Sequence, residues 1–274
     1  MASIIISSDS SLTAARIAEK IVEKNGFSVV NRDILPEAAQ KYNVDEAQLK
    51  KALDRPAGIF GMPAKLKKQC MTYIQAVALE KLLPDNIVCY GLGAHLYAKG
   101  VSHFFKVRVL TRPEQLIKEL HPAGTAPENK AEKIIAKHEK ARNRWSRDVF
   151  KQDESNAGLY DLVISLNQIE EDEAVKMILE TASLRQFEPM TYSINCVKEF
   201  LMAAQVKAKL VERFPDCRVR VDGENTVIHI QALKRNAKKY SAVAKEAART
   251  VPGVKHVEVH ILTDFIGQAV ESNR

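Results

Sequence analysis

Hydrophobic positions in the first two thirds of the chain fall in short, nearly unbroken runs, each followed by a stretch with helical spacing. The runs 3–7, 28–30, 87–90, 106–110 and 162–166 are rich in Ile and Val and carry little polar alternation. Such runs suit strands of a parallel sheet covered on both faces, because alternation marks a sheet with one wet face. The repeated strand-then-helix order predicts a doubly wound α/β domain over residues 1–182. Its first unit is the clearest. Leu12, Ala15, Ile17, Ala18, Ile21 and Val22 give an apolar stripe to a helix over 12–24, and Gly26 suits the left-handed position that stops it. Long helices are also predicted over 64–83 and, highly charged, over 128–149.

Residues 183–195 break the rhythm with Pro189 and several polar positions, and read as a linker. A second pattern follows. Residues 196–214 are helical, with Val197, Phe200, Leu201, Ala204, Ala208 and Val211 on one face. Strands are predicted over 218–221 and 226–231 around the turn signal Asp222-Gly223. A helix over 235–250 and an alternating strand over 254–262 complete a small αββαβ (α+β) domain over 196–262, with a tail from 263 to 274.

Composition changes this picture little. A length of 274 residues accommodates two domains, and 46% hydrophobic with 27% charged residues is an ordinary globular balance. The cysteines Cys70, Cys89, Cys196 and Cys217 lack metal-ligand spacing and read as buried thiols. The run Ile4–Ile6 has no basic segment before it and is too short for a signal peptide or a membrane span, so a cytoplasmic, non-transmembrane protein is expected. The net charge of +7 is scattered except for a dense basic run between Lys130 and Lys151. That run suits a solvated helix or a small-molecule phosphate site, and no nucleic-acid partner is expected.

Chemistry is anticipated first at the loop Ser7-Ser8-Asp9-Ser10-Ser11-Leu12-Thr13-Ala14-Ala15-Arg16. In mononucleotide-binding α/β folds the first loop cradles phosphate with backbone N–H groups, the positive end of the next helix and a lysine. This loop has hydroxyls and a helix start, but no glycine and no lysine. Asp9, Ser10 or Ser11 simply capping the helix is the reading this segment alone favours. Arg16 is the nearest cation.

Several motifs in order extend the reading. They are the opening Ile4-Ile5-Ile6-Ser7, Val30-Asn31-Arg32-Asp33-Ile34-Leu35, Ile87-Val88-Cys89-Tyr90-Gly91-Leu92-Gly93-Ala94-His95, Lys106-Val107-Arg108-Val109-Leu110, the basic stretch Glu139-Lys140-Ala141-Arg142 with Trp145 and Arg147, and Tyr160-Asp161-Leu162-Val163-Ile164. In this order they resemble the cytidylate-kinase-like family, of P-loop kinase fold. The resemblance implies ATP-dependent transfer, with Mg2+, of a phosphoryl group to a pyrimidine nucleoside monophosphate. It also implies that Arg32 lies near a bound monophosphate and that Arg142 and Arg147 sit on a basic lid helix. Ser11, Thr13 and Ala14 stand where the family has glycines, Ala15 where relatives carry a basic residue, and Leu92 where an arginine is usual. The expectation is therefore a nucleotide-binding protein, weak or inactive as a kinase, acting in regulation or partner binding; the alternative is an active cytidylate-type kinase. The nucleotide-site candidates are Ser10, Ser11, Thr13, Arg16, Arg32, Asp33, Gly91, Gly93, His95, Arg142 and Arg147, with no catalytic residue assigned and no resident metal. On the long helix, Lys133, Lys137, Lys140, Arg144 and Arg147 recur at three- and four-residue spacing and read as the lid face. The second domain, through its hairpin and Val251-Pro252-Gly253-Val254, resembles the bacterial BON module, which implies a protein or lipid partner.

Overall fold

The computed structural model describes residues 2–54, 62–120 and 128–263. The chain runs β1 (Ser3–Ser8), α1 (Ser11–Asn25), β2 (Ser28–Val30), α2 (Leu35–Tyr42), α3 (Glu46–Asp54), α4 (Ala64–Lys81), β3 (Ile87–Tyr90), α5 (Ala94–Tyr97), β4 (Phe104–Leu110), α6 (Pro113–Leu120), α7 (Glu128–Phe150), β5 (Leu162–Ser165) and α8 (Glu171–Ala182). The first five strands form one wholly parallel sheet in the order β2-β3-β1-β4-β5.

Successive side chains on a strand point to opposite faces, and here both faces are dry. Ile4 and Ile6 join Val88, Phe105, Val107 and Val109 beneath α1 and α8. Ile5 joins Ile87, Cys89 and Phe104 on the other side, under α2, α3 and α4. This is why every residue of β1 is buried and why its run shows no polar alternation. Gly26 takes the left-handed conformation, with φ of 68°, and closes α1 through its N–H to the Val22 carbonyl. The architecture is mixed α/β with a five-stranded parallel sheet, as the strand-then-helix order predicts.

The segment read as a linker is shorter in the fold. After α8 comes a single 3-10 turn at Arg185–Phe187, and then α9 (Thr191–Leu210) begins inside the stretch 183–195. Ser193 sets this start: its Oγ accepts the Met190 N–H at 3.1 Å and meets His103 Nδ1 at 2.8 Å. The start escaped the sequence pattern because its apolar stripe serves more than one core. Val197 is buried in the core of the first sheet. Ala204 packs on Ala76 and Leu79 of α4, and Ala208 and Val211 pack on Tyr73. Tyr73 stacks on Tyr42 at 4.3 Å and donates its hydroxyl to Glu212 at 3.1 Å.

The other flank of α9, with α10 (Ala237–Arg249), covers a second sheet of β6 (Arg218–Asp222), β7 (Asn225–Gln231) and β8 (His256–Leu262). β6 and β7 are antiparallel across a turn at Gly223 and Glu224, and β8 joins β7 in parallel after the α10 crossover. His229 and His260 face each other on β7 and β8, with rings stacked at 5.0 Å. Of the expected tail, residues 264–274 lie outside the described ones. No helix among the described residues is long and apolar enough to cross a membrane.

Candidate functional site

Parallel sheets bind ligands beyond the carboxyl ends of their strands, where neighbouring connections diverge. In this chain the turns after β1, β2 and β3 meet there and wall a cavity of about 490 Å³, closed from above by α7. That volume is in the range of small-molecule sites, about 300–1,000 Å³. Ser10, Ser11, Arg32, Gly91, Gly93, His95 and Arg142 all line it.

The β1–α1 turn forms one wall. Ser10 is the N-cap of α1: its side chain accepts the Thr13 N–H at 3.0 Å. Its hydroxyl in turn donates to Glu119 of α6. Ser11 donates to the same carboxylate through its N–H at 3.2 Å and its hydroxyl at 2.9 Å. A side-chain carboxylate thus occupies the positive end of α1, where helix geometry favours an anion. The carbonyls of this turn are engaged from above. Arg142 Nη1 donates to the Ser8 carbonyl, and His138 Nε2 donates to the Asp9 carbonyl at 2.8 Å. The Asp9 carboxylate turns inward to accept the Thr111 N–H at 2.9 Å.

The α7 face that meets the cavity is His138, Arg142 and Trp145, at four- and three-residue spacing. It is not the lysine stripe. Lys133, Lys137, Lys140, Arg144 and Arg147 are exposed, and the Lys130 side chain lies outside the described ones. Basic residues on a long helix are cheapest to leave in water, so the sequence stripe marks the solvent side.

Glu154, just past α7, anchors the floor. It is 2% exposed, and Oε1 accepts Arg142 Nε at 2.6 Å. Its backbone N–H donates to Ser146 Oγ, and its carbonyl accepts from Arg108 and from the Tyr160 hydroxyl. His95 stacks on Tyr160 at 5.3 Å with Nε2 4.0 Å from Glu154 Oε2. That buried nitrogen has no hydrogen-bond partner among the described residues. Burial first, and then the Arg142, Arg108 and Lys106 charges, push His95 down to about 3. It is therefore neutral at physiological pH, and one of its ring nitrogens is free to accept.

The β2 and β3 turns form the opposite wall. Arg32 spans it, with Nε on the Gly91 carbonyl at 3.3 Å and Nη1 on Asp54 at 2.7 Å. Gly93 has φ of 70°, and an added Cβ would stand 2.9 Å from Trp145 Cη2, so only glycine lets α7 close here. Trp145 is held by its Nε1–H on the Ala52 carbonyl at 2.9 Å.

Four expected residues do not line the cavity. Thr13 is fully buried and bonds Thr111 Oγ1 at 3.1 Å. Arg16 turns to the far flank and pairs with Glu171 at 2.7 Å, as its offset round the helix allows. Asp33 is exposed, and its backbone N–H bonds Asn31 Oδ1 in a local turn. Arg147 is exposed and pairs with Asp153. Conversely, Glu119, His138 and Glu154 were missed. Glu119 and Glu154 reach the site from far along the chain with no local spacing to announce them, whereas His138 shares the helical spacing of Arg142 and Trp145. Among the described residues no group of three or more His, Cys, Asp or Glu could hold a metal ion.

The elements that build this cavity coincide with a known family. The sequence profile of the cytidylate kinase-like family matches residues 3–168, which include the whole parallel sheet and both cavity walls. The chain belongs to the cytidylate kinase-like family. Curated proteins return no match. Similar solved structures include an uncharacterized protein from Eubacterium ventriosum, with 14% identity, a TM-score of 0.46, and coverage of 68% of this chain and 100% of that one. The shikimate kinase from Bacteroides thetaiotaomicron is similar at 12% identity, with a TM-score of 0.40 and coverage of 67% of this chain and 99% of that one. Family membership attaches to the first sheet and its cavity, and α9 onward lies beyond the matched residues.

Proposed function

We propose that this cytidylate kinase-like protein binds a nucleotide in the cavity under α7, transfers phosphate weakly or not at all, and acts in regulation or partner binding. One observation carries the reading. The β1–α1 turn meets α7 with its carbonyls, at Ser8 and Asp9, and has no lysine to meet a phosphate. Phosphoryl transfer rests on positioning and charge stabilisation, so a turn without a lysine or glycines lacks the groups that do that work.

The turn does not fit ATP with magnesium as such kinases hold them: the Asp9 carboxylate is committed to Thr111, and Glu119 takes the donors at the start of α1. The cavity does retain groups that suit a nucleoside monophosphate. Arg32 and Arg142 offer cationic donors on opposite walls, and the His95 nitrogen is an unused partner for a base or sugar. A pyrimidine monophosphate is the ligand the family suggests.

The segment from α9 to β8 is proposed as the BON-like partner module, for a protein or a lipid surface. Leu233 before α10 and Met190 and Tyr192 at the start of α9 are large exposed apolar side chains on it. A second reading, an active cytidylate-type kinase using ATP and Mg2+, is supported by family membership and the retained cavity.

Calorimetric titration with cytidine monophosphate tests the reading. Saturable one-to-one binding that is lost in His95→Ala and Arg142→Ala is expected. Absence of binding by the native protein overturns it.

A further inference from the structure

Glu119 sits at the wrong end of its own helix. It occupies the last turn of α6, where the carbonyl end of the helix disfavours a negative charge. Nothing within α6 recommends an acid there. What holds it is α1: the Ser10 hydroxyl, the Ser11 N–H and the Ser11 hydroxyl all donate to its two oxygens. These are the donors that a helix start offers to an incoming oxyanion. The carboxylate also lines the cavity, so any ligand reaching α1 from inside meets it. α6 is fixed behind it. Leu116 is buried, and Arg112 at its start donates to the Leu166 carbonyl at 2.7 Å and pairs with Glu170.

We infer that Glu119 is a built-in anion competitor: it fills the anion seat at the start of α1, and a phosphorylated ligand gains that seat only by displacing it. The inference deepens the nucleotide-binding reading and rests on it. The carboxylate opposes a phosphate twice, by holding the donors and by repelling the incoming charge. The seat is thus closed by default, and opens only when the Glu119 side chain leaves it. This makes affinity for the phosphate part of a ligand adjustable by whatever draws Glu119 away, while contacts to the rest of the ligand stay unaltered.

The test compares the native protein with Glu119→Gln, Glu119→Ala and the same-helix control Glu114→Gln, an exposed residue of the first turn of α6. Each is titrated with inorganic pyrophosphate and with cytidine monophosphate, and its folding is checked by thermal unfolding. Glu119→Gln keeps the shape of the side chain, so it remains informative if Glu119→Ala loosens the turn. Pyrophosphate binding at least about tenfold tighter in both Glu119 variants, roughly 1.4 kcal/mol, with Glu114→Gln matching the native protein, is the result expected. Equal pyrophosphate affinity in all four proteins overturns the inference; cytidine monophosphate binding in that case leaves the nucleotide reading standing. Failure of both ligands to bind any of the proteins overturns the inference and that reading together.

Discussion

Arg142 on α7 and Glu154 beyond its end meet at 2.6 Å, and through Arg142 the same contact reaches the Ser8 carbonyl at the end of β1. One guanidinium therefore ties the helix over the cavity to the turn that should hold phosphate. Glu154 is 3% exposed on its side chain, so removing its partner strands a charge away from water. Arg142→Ala is expected to cost about 3 kcal/mol of stability, the lower end for one partner lost from a buried pair, since Arg142 is itself partly exposed. It is also expected to abolish nucleotide binding. Arg147→Ala removes only an exposed pair with Asp153, and is expected to change stability by less than about 1 kcal/mol and affinity not at all. Denaturant unfolding and titration of both variants check the contrast.

His95 predicts a pH dependence. Its folded value, pushed down to about 3 by burial and neighbouring cations, lies below the ordinary histidine value near 6.5. Between these values the unfolded chain binds a proton that the folded chain refuses. Stability is thus fully present above about pH 6.5 and falls as pH drops towards 3, by up to about 1.4 kcal/mol per pH unit. His103, lowered by burial, adds a smaller contribution of the same sign. Unfolding measured between pH 4.5 and 6.5 should show this slope, and His95→Gln should flatten most of it. An unchanged slope contradicts the assignment to His95.

The two glycines Gly26 and Gly93 separate backbone strain from crowding. Both have positive φ, but a Cβ at Gly26 meets nothing within 4 Å, whereas at Gly93 it meets Trp145. Gly26→Ala is expected to cost about 1–2 kcal/mol, the ordinary cost of the left-handed conformation. Gly93→Ala should cost more than this, and should also weaken nucleotide binding by lifting α7. Equal costs would mean that Trp145 yields without effect.

α9 places side chains in the cores of both sheets, and the two halves are therefore expected to unfold together. Val197→Ala is expected to cost about 2 kcal/mol in the first core, and Leu210→Ala about 3 kcal/mol in the second. Calorimetry should show a single transition that both substitutions lower. Two transitions, each responding to one substitution, would contradict the shared helix.

The sequence exposed what is local. Strand runs such as 87–90 and 28–30 are contiguous and apolar, and match β3 and β2 residue for residue. Gly26 ends α1 because a single residue supplies the needed conformation. Ser10, Ser11, Arg32, Gly91, Gly93 and His95 share one cavity because turns after parallel strands converge at one edge, and Arg142 reaches it from α7. What stayed hidden was pairing across the chain. Glu119 lies 109 residues from Ser10, and Glu171 lies 155 from Arg16, so neither partner leaves a periodic trace. The basic stripe on α7 misled for a related reason. Its spacing identifies a face but not which side is wet, and that is settled by the Asp9 carbonyl, Glu154 and the Ala52 carbonyl, which hold His138, Arg142 and Trp145 inward. The start of α9 was concealed by a stripe divided among cores.

The central claim is that the cavity holds a nucleotide without moving its phosphate efficiently. The most direct measurement is a coupled phosphoryl-transfer assay with saturating ATP, magnesium and cytidine monophosphate on the purified native protein. Ordinary kinases turn over at about 1–100 per second, and the missing charge stabilisation predicts a rate at least about a hundredfold below that range. Turnover within the ordinary range would contradict the account, and would establish that the β1–α1 turn works without lysine or glycine.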